Sequence, residues 1–346
     1  MSLGINISLP RKILLFLLDL FIKILWVIDK LTSFDIGYTI KTFFRTIILM
    51  LSLSFLIFLG YAFSTGYLHK IYVASVFPDI FFTSKISQQL SYPLKTGSEL
   101  APETTATSLV AMDKKSNKVL LEKNADDLLA PASTVKLMTA VVAKSIYDLE
   151  EVLLVPEICT QVEGTKAYLP VGGRFKVKDL IESMLIGSAG DSACVLAMSK
   201  LSLDDFVNKM NEKAIEIGLK STRFSNPIGL DDAFGNNYST ALDLYKLSVY
   251  ATSFSDIKDS VSKKNLVLSS VDGNFNFILR NTNRLLWEVP NSVGIKTGTT
   301  LGAGEVLIYE YKEDLKDIVI VVMGSKDRFG DTRDILKWIG RNYSWE

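Results

Sequence analysis

The hydrophobic positions near the N-terminus are arranged as membrane segments are. Residues 46–68 form an apolar run without a charged residue, and Arg45 and Lys70 bracket it. A helix that crosses a bilayer core needs about 20 apolar residues, whereas a cleavable signal peptide starts earlier and has a shorter apolar stretch. The run therefore predicts an uncleaved transmembrane signal anchor in contact with the lipid bilayer.

A second apolar helix is predicted upstream, at residues 11–30. Its charged positions Lys12, Asp19, Lys23 and Lys30 are spaced by 7, 4 and 7 residues, which places them within about 40° of arc on a helix. Such a narrow polar stripe favours a helix that lies in the membrane interface. A first transmembrane span is the alternative.

From residue 103 to residue 346 the pattern is that of a folded domain. Strand patterns occur at both ends, in TSLVAMD and KVLLEKN and again in SVGIKTGT, GEVLIYEYK and DIVIVVMGSK, with helical patterns between them. Short connections between the C-terminal strands require antiparallel pairing. We predict an α+β fold whose antiparallel sheet is built from both ends of the domain around a helical insert. The predicted segments are a cytoplasmic or interfacial segment at 1–45, the anchor at 46–68, a stalk at 69–102 and the globular domain at 103–346.

Composition removes several kinds of chemistry. The chain has 38 Lys and Arg against 38 Asp and Glu, and this balance argues against nucleic-acid binding, which needs a basic surplus. The only histidine is His69, so a Ser-His-Asp triad, a Cys-His dyad and a histidine-ligated metal site all lack their imidazole. A nucleophile must therefore be activated by lysine, a carboxylate or water, and the sequence predicts no metal and no cofactor.

The two cysteines, Cys159 and Cys194, are too few for a disulfide scaffold or a four-cysteine zinc site. Cys194 falls on an apolar helix face, so we expect a small buried thiol there. A disulfide with Cys159 is the alternative for a domain outside the cytoplasm.

Candidate chemistry begins with Ser133-Thr134-Val135-Lys136, at the start of a predicted helix. Positions three apart share a helix face, so the amino group of Lys136 reaches the hydroxyl of Ser133. Lysine acts as a base only when burial or a second cation lowers its pKa. In isolation, the motif is better interpreted as an N-cap serine followed by a surface lysine.

Two further short motifs accompany the first. Lys296-Thr297-Gly298-Thr299 lies in a β-rich run, where Gly298 lets a ligand backbone approach and Lys296 can bind a carboxylate or help keep Lys136 neutral. Ser188-Ala189-Gly190-Asp191 lies between two predicted helices, where a hydroxyl could pass protons between the lysines. In isolation, a solvated strand and a helix cap are the favoured interpretations.

Together and in this order, the three motifs resemble those of the serine-type D-alanyl-D-alanine carboxypeptidases, the low-molecular-mass penicillin-binding proteins. The resemblance covers about residues 103–345 and extends to the longer blocks PASTVKLMTA, SMLIGSAGDSACVLA, FSNPIGLDD with YSTALDL, and NTNRLLWEVPNSVGIKTGTTLGAGEVLI. It implies a β-lactamase/DD-peptidase-like fold, an antiparallel sheet flanked by helices with an all-helical lobe. The implied substrate is a peptidoglycan stem peptide ending in D-Ala-D-Ala, with β-lactams as inhibitors.

The resemblance also implies roles for single residues. Ser133 matches the acylated nucleophile, Lys136 its general base and Ser188 the serine that relays protons. The strand residues Lys296, Thr297, Gly298 and Thr299 match the segment that pairs with the substrate and binds its terminal carboxylate. The backbone N–H groups of Ser133 and Thr299 would form the oxyanion hole. The implied location is the extracytoplasmic face of a bacterial cell membrane, held by a single-pass anchor.

Three departures from the family pattern are visible. Gly190 stands where the family has an Asn whose amide contacts the substrate, so we expect Gly190→Asn to raise kcat/KM about tenfold, one good hydrogen bond. Arg284 is a candidate contact for the substrate carboxylate without a firm family counterpart. The chain is also expected to carry an N-terminal anchor in place of the family's C-terminal β-domain and terminal helix.

Several alternatives share these motifs. A D,D-endopeptidase acting on peptidoglycan cross-links would use the same residues. A class A-like β-lactamase needs a loop carboxylate, whereas Glu212 and Glu216 fall in a helical run. An inactive wall-binding scaffold protein is favoured by Gly190 and opposed by the intact serines and lysines.

Overall fold

The computed structural model describes Met50, residues 92–231 and residues 235–346. The predicted helix at 11–30, the predicted anchor apart from Met50, and residues 69–91 lie outside the described residues. Contacts divide the chain into a unit at 1–87 and a unit at 88–346, and the fold below is that of the second. Within the described part of the chain, we find no helix with the length and apolar character needed to cross a bilayer.

The second unit contains eleven strands, nine α-helices and a 3₁₀ turn among its described residues. The strands are β1 Pro93–Lys95, β2 Ser108–Asp113, β3 Lys118–Lys123, β4 Val152–Leu154, β5 Arg174–Lys176, β6 Asn265–Ser269, β7 Asn276–Arg280, β8 Ser292–Thr300, β9 Gly304–Glu313, β10 Lys316–Ser325 and β11 Tyr343–Trp345. The helices are α1 Lys136–Ile146, α2 Glu157–Thr160, α3 Val177–Ile186, α4 Gly190–Met198, α5 Leu203–Glu216, α6 Ala241–Ala251, α7 Ser255–Ser262, α8 Leu285–Glu288 and α9 Arg328–Asn342, with the 3₁₀ turn at Ala132–Val135.

A five-stranded antiparallel sheet organises the fold, in the order β3-β2-β10-β9-β8. Strands from both ends of the domain thus meet in one sheet, and the long segment between them is mainly helical, which confirms the predicted α+β class. Strand β8 is the outermost strand on one side. Its outer edge therefore keeps backbone N–H and C=O groups without a neighbouring strand of this sheet.

Helices cover both faces of the sheet. The central strand β10 has apolar side chains on both faces, and the helices bury them. Val319, Val321 and Met323 join the larger core with helices such as α1 and α6, while Ile318 and Ile320 pack into a second core. Alternate residues of a strand point to opposite faces, so one continuous apolar strand supplies both cores. The second core lies against α9.

The N-terminal end of the unit is bound to its C-terminal end by strand pairing and hydrogen bonds. Strand β1 pairs antiparallel with β11, with Pro93 opposite Trp345. Beyond this pairing, the indole N–H of Trp338 donates to the Glu99 carbonyl at 3.1 Å, and Thr105 donates to Asp331 at 2.8 Å. The last part of the segment predicted as a stalk at 69–102 is therefore packed onto the domain.

A disulfide joins Cys159 on α2 to Cys194 on α4, with the two Cα atoms 5.4 Å apart. The expectation of a free buried thiol at Cys194 was wrong. The two cysteines are separated by 35 residues, and only the packing of α2 against α4 brings them together. The bond joins α2 to the helix that carries Gly190 and Asp191.

Candidate active site

The turn at Ala132–Val135 places Ser133 directly before α1, and Lys136 is the first residue of that helix. Lys136 Nζ lies 2.8 Å from Ser133 Oγ, the contact expected from their spacing. Ala132, just before Ser133, has a positive φ of 48°. A left-handed backbone at a residue with a Cβ costs roughly 1–2 kcal/mol, and such strain is concentrated at functional sites.

Lys136 lies in an environment that disfavours its charged form. Its side chain is buried, and burial lowers the pKa of Lys136 from 10.5 to about 7, against the opposing charge of Asp191. Nζ also donates to the Ile228 carbonyl oxygen at 2.5 Å. A lysine with this pKa has a substantial neutral fraction near neutral pH, which is what a general base requires.

Ser188 lies between the end of α3 and the start of α4. Its backbone is left-handed, with φ of 57°, and its Oγ accepts a hydrogen bond from Lys296 Nζ at 2.9 Å. Asp191, one turn further on, is fully buried, and its carboxylate accepts the backbone N–H groups of Ala167 and Leu169, each at 3.0 Å. These bonds hold the segment that follows Cys159 against the Ser188-Ala189-Gly190-Asp191 motif.

Lys296 is also buried, on the outermost strand β8. Burial, followed by the charges of Lys136 and Arg328, holds the pKa of Lys296 well below its usual value. The sequence predicted that burial and the charge of Lys296 would both lower the pKa of Lys136. Burial does lower the pKa of Lys136, whereas the repulsion between the two lysines is expressed in the pKa of Lys296.

Gly298 allows β8 to lie directly against the turn of Ser133. A Cβ at Gly298 would lie 2.8 Å from Ala132 Cβ and 2.9 Å from Ser133 N, so any side chain would push the strand away. On either side of it, Thr297 Oγ1 lies 2.6 Å from Thr282 Oγ1, and Thr299 Oγ1 donates to the Gly298 carbonyl. The glycine thus sets the distance between the strand and Ser133.

Arg328 contacts this strand and was missed from the sequence. Its guanidinium donates to the Gly298 carbonyl at 2.7 Å and to Thr299 Oγ1, and its Nε is buried without a hydrogen-bond partner. Arg284, the candidate from the sequence, forms an ion pair with Glu288 at 3.2 Å. Arg328 belongs to no sequence motif. It reaches β8 only because the fold places the start of α9 beside that strand.

Gly190 is packed more tightly than the sequence suggested. Its N–H donates to the Thr165 carbonyl at 2.7 Å. A Cβ at Gly190 would lie 3.2 Å from that same oxygen, 3.2 Å from Ile228 Cγ2 and 3.6 Å from Val162 Cγ2. An Asn cannot be added here without displacing a neighbour, so the expected gain from Gly190→Asn is revised below.

The structure thus brings together Ser133, Lys136, Ser188 and Lys296, and Thr299 directly follows Gly298, which lies against the Ser133 turn. Among the residues it describes, no group of three or more His, Cys, Asp or Glu side chains is arranged to hold a metal ion. A serine and a buried lysine one helical turn apart, with a second serine, Ser188, bonded to a lysine on the edge strand of an antiparallel sheet, define the penicillin-binding class of serine enzymes.

Comparison with known proteins agrees with this class. Residues 95–327 match the D-alanyl-D-alanine carboxypeptidase family, and the chain belongs to it, as the motifs indicated. The carboxypeptidase DacF of Bacillus subtilis is 32% identical over 238 residues, covering 67% of this chain and 60% of the relative. A D-alanyl-D-alanine endopeptidase of Pseudomonas aeruginosa is 30% identical over 259 residues, covering 72% of this chain and 82% of the relative.

A solved structure shares the fold. The crystal structure of the Streptomyces K15 DD-transpeptidase is 26% identical, covers 70% of this chain and 99% of its own, and superposes with a TM-score of 0.66. The chain spans about 60% of the length of the carboxypeptidase relatives from Bacillus subtilis and Escherichia coli.

Proposed function

We propose that the protein is a membrane-anchored, penicillin-binding serine carboxypeptidase that removes the terminal D-Ala from peptidoglycan stem peptides ending in D-Ala-D-Ala. The observation that carries the proposal is the 2.8 Å contact between Ser133 Oγ and Lys136 Nζ. Lys136 is buried and has a pKa lowered to about 7. This arrangement gives the serine a base without histidine.

Acylation begins when the neutral amine of Lys136 takes the proton of Ser133 as Oγ attacks the carbonyl carbon of the D-Ala-D-Ala bond. The negative charge that develops on the carbonyl oxygen is stabilised by the N–H groups of Ser133 and Thr299. Lys136 then passes this proton through the Ser188 hydroxyl, which Lys296 Nζ contacts at 2.9 Å, to the leaving D-Ala nitrogen, and its amine is neutral again. The products of this step are free D-Ala and an ester on Ser133.

Deacylation returns the enzyme to its starting state. A water molecule attacks the ester carbonyl and gives its proton to Lys136, which passes it to Ser133 Oγ as the ester bond breaks. The shortened peptide leaves with a free carboxyl group, and the Ser133 hydroxyl and the neutral Lys136 are restored. A β-lactam reacts in the first step like the substrate, and its opened ring remains attached to Ser133.

Substrate binding is assigned to the outer edge of β8. A peptide in extended conformation can add to a free strand edge through main-chain hydrogen bonds. The terminal carboxylate is assigned to Arg328 and Thr299, which already contact each other. Arginine recognises carboxylates through its planar fork of N–H donors, and the Arg328 Nε is left without a partner.

The proposed location is outside the cytoplasmic membrane, with residues 46–68 as the anchor. Peptidoglycan lies on that side, and the Cys159–Cys194 disulfide is typical of an oxidising compartment. Protease added to intact spheroplasts should remove the domain. Protection until lysis would reverse the proposed topology.

The function is tested with the full-length protein in detergent micelles. We expect fluorescent penicillin to label Ser133, identified by mass spectrometry, and a pentapeptide ending in D-Ala-D-Ala to release D-Ala. Ser133→Ala should abolish both signals, while Ser145→Ala, an exposed serine on α1, should leave them intact. Absence of label and of D-Ala release in the wild type would favour an inactive wall-binding protein.

A D,D-endopeptidase is the second candidate function, supported by the Pseudomonas aeruginosa relative, of which this chain covers 82%. Digestion of isolated cross-linked muropeptides separates the two activities. A carboxypeptidase releases free D-Ala, whereas an endopeptidase converts dimers into monomers. A class A-like β-lactamase is disfavoured because Glu212 and Glu216 lie on α5, and Glu216 pairs there with Lys213.

A further inference from the structure

The chain makes an unusual turn at Asn226, within the FSNPIGL block. The side-chain oxygen of Asn226 accepts three successive backbone N–H groups, from Ile228 at 3.1 Å, Gly229 at 2.7 Å and Leu230 at 3.1 Å. Its amide nitrogen donates to the Leu230 carbonyl at 3.0 Å. One side chain therefore fixes the path of the whole turn.

This turn docks on the helix that carries the candidate base. The Pro227 carbonyl accepts a hydrogen bond from Thr139 Oγ1 at 2.7 Å, and the next carbonyl, that of Ile228, accepts from Lys136 Nζ at 2.5 Å. Positions 136 and 139 lie on the same helix face. Two consecutive carbonyls thus bind two positions one turn apart.

Gly229 brings the turn against the backbone beside Ser133. Its φ is +84°, and a Cβ there would lie 2.0 Å from the Ala132 carbonyl oxygen and 3.0 Å from Ser133 Cα. Both the conformation and the lack of space require glycine. The turn therefore has little freedom to move relative to Ser133 as long as Asn226 holds its N–H groups.

We propose that Asn226 is a positioning residue for Lys136, acting through the Ile228 carbonyl. The inference rests on the proposed function of Lys136 as the base. A neutral amine has two N–H bonds and one lone pair. When the Ile228 carbonyl accepts one N–H, the rotation of the amino group is restricted and its lone pair can be directed at Ser133 Oγ, 2.8 Å away.

Loss of this contact should change both the rate and its pH dependence. A carbonyl that accepts from the ammonium favours the protonated lysine, so its displacement should lower the pKa of Lys136. Two charged groups face the same amine from other elements, Asp191 on α4, which raises that pKa, and Lys296 on β8, whose own pKa is lowered by Lys136. Neither is altered by a change at Asn226.

The test compares Asn226→Ala, Asn226→Asp and the control Asn237→Ala in the full-length protein. Asn237 donates to the same Leu230 carbonyl at 3.1 Å, so its loss perturbs the turn without releasing the three N–H groups. The second-order rate of acylation by penicillin is measured from pH 5 to pH 10. We expect Asn226→Ala to slow acylation about 10- to 100-fold and to move its acidic limb to lower pH.

The other two variants distinguish positioning from general support. Asn226→Asp keeps an acceptor oxygen at the same place and should recover most of the rate, while Asn237→Ala should stay within about threefold of the wild type with an unchanged profile. A wild-type rate and profile in Asn226→Ala would overturn the proposal. So would equal slowing in Asn226→Ala and Asn237→Ala without any change of profile.

A second measurement does not depend on catalysis. Trace acetylation of Lys136 at different pH values, quantified by peptide mass spectrometry, reports the pKa of its amine in any variant that folds. We expect a lower pKa in Asn226→Ala than in Asn237→Ala, and equal values would overturn the proposal. If the wild type forms no acyl-enzyme but the pKa difference is present, the proposed function fails and the positioning role stands.

Discussion

Gly190→Asn is the substitution on which the structure and the sequence disagree most directly. The added Cβ would lie 3.2 Å from the Thr165 carbonyl oxygen and 3.2 Å from Ile228 Cγ2. The Thr165 carbonyl cannot retreat freely, because it accepts the Gly190 N–H at 2.7 Å. A shift of Ile228 would also disturb its backbone carbonyl, which accepts a hydrogen bond from Lys136.

The magnitude follows from these contacts. Inserting atoms into a closely packed site costs about 1–3 kcal/mol, and we expect the unfolding free energy of Gly190→Asn to fall by about that amount. If half of this strain, about 0.5–1.5 kcal/mol, displaces Ile228 in the folded enzyme, acylation falls about two- to twelvefold, since ~1.4 kcal/mol corresponds to a factor of ten. Gly190→Ala should show a smaller effect in the same direction, since it adds only the Cβ.

The assay combines urea unfolding with the rate of acylation by penicillin. Gly340→Ala is the matched control, because a Cβ at this helical glycine meets nothing within 4 Å and should stabilise the helix slightly. A tenfold rise of kcat/KM in Gly190→Asn with unchanged stability would refute the reasoning. That result would mean that Thr165 and Ile228 move aside at little cost, and that Gly190 only deprives the enzyme of a contact between an amide side chain and the substrate.

Three further predictions concern other parts of the molecule. Acylation should decline as the pH falls below about 7, because protonation of Lys136, whose pKa is lowered to about 7, removes the base. Lys136→Arg should abolish acylation. An acylation rate that does not depend on pH would contradict the role of Lys136 as the base. Replacing both Cys159 and Cys194 by Ala opens a loop of 35 residues and should lower the unfolding free energy by about 4 kcal/mol in urea titrations, whereas an unchanged midpoint would show that α2 packs equally well without the bond. A chain that starts at residue 103 should melt several degrees below one that starts at residue 88, since it lacks β1 and the Trp338–Glu99 bond. Equal melting temperatures would show that these contacts between the two ends of the domain add no stability.

The features that were predictable from the sequence depend on short spacing. Ser133 and Lys136 meet because helical geometry brings positions three apart onto one face. The sheet strands were visible because β9 and β10 are long apolar runs joined by a tight connection. Family resemblance then supplied what spacing could not, namely that Ser188 and Lys296 converge on the same serine.

The features that were missed depend on contacts between distant segments. The disulfide requires α2 to pack on α4, and Arg328 reaches β8 only through the return of α9. The polar composition of residues 92–102 looked like a linker, since an edge-pairing strand of three residues has no periodicity to detect. The role of Asn226 was hidden for a further reason, because a side chain that organises backbone N–H groups leaves no pattern in hydrophobicity or charge.

The pairing of β1 with β11 has a consequence for how the domain can be joined to other polypeptides. Since Pro93 lies opposite Trp345, the chain enters and leaves the domain at the same corner. Domains with adjacent ends tolerate circular permutation and insertion into a host chain. A permuted protein with a short Gly-Ser bridge between these ends, opened at the Gly273 turn between β6 and β7, would retain the arrangement of Ser133, Ser188 and Lys296. A module fused at either end would project from the same corner of the domain. The order of the modules along a gene could therefore be exchanged while the active site keeps its orientation relative to the fused module.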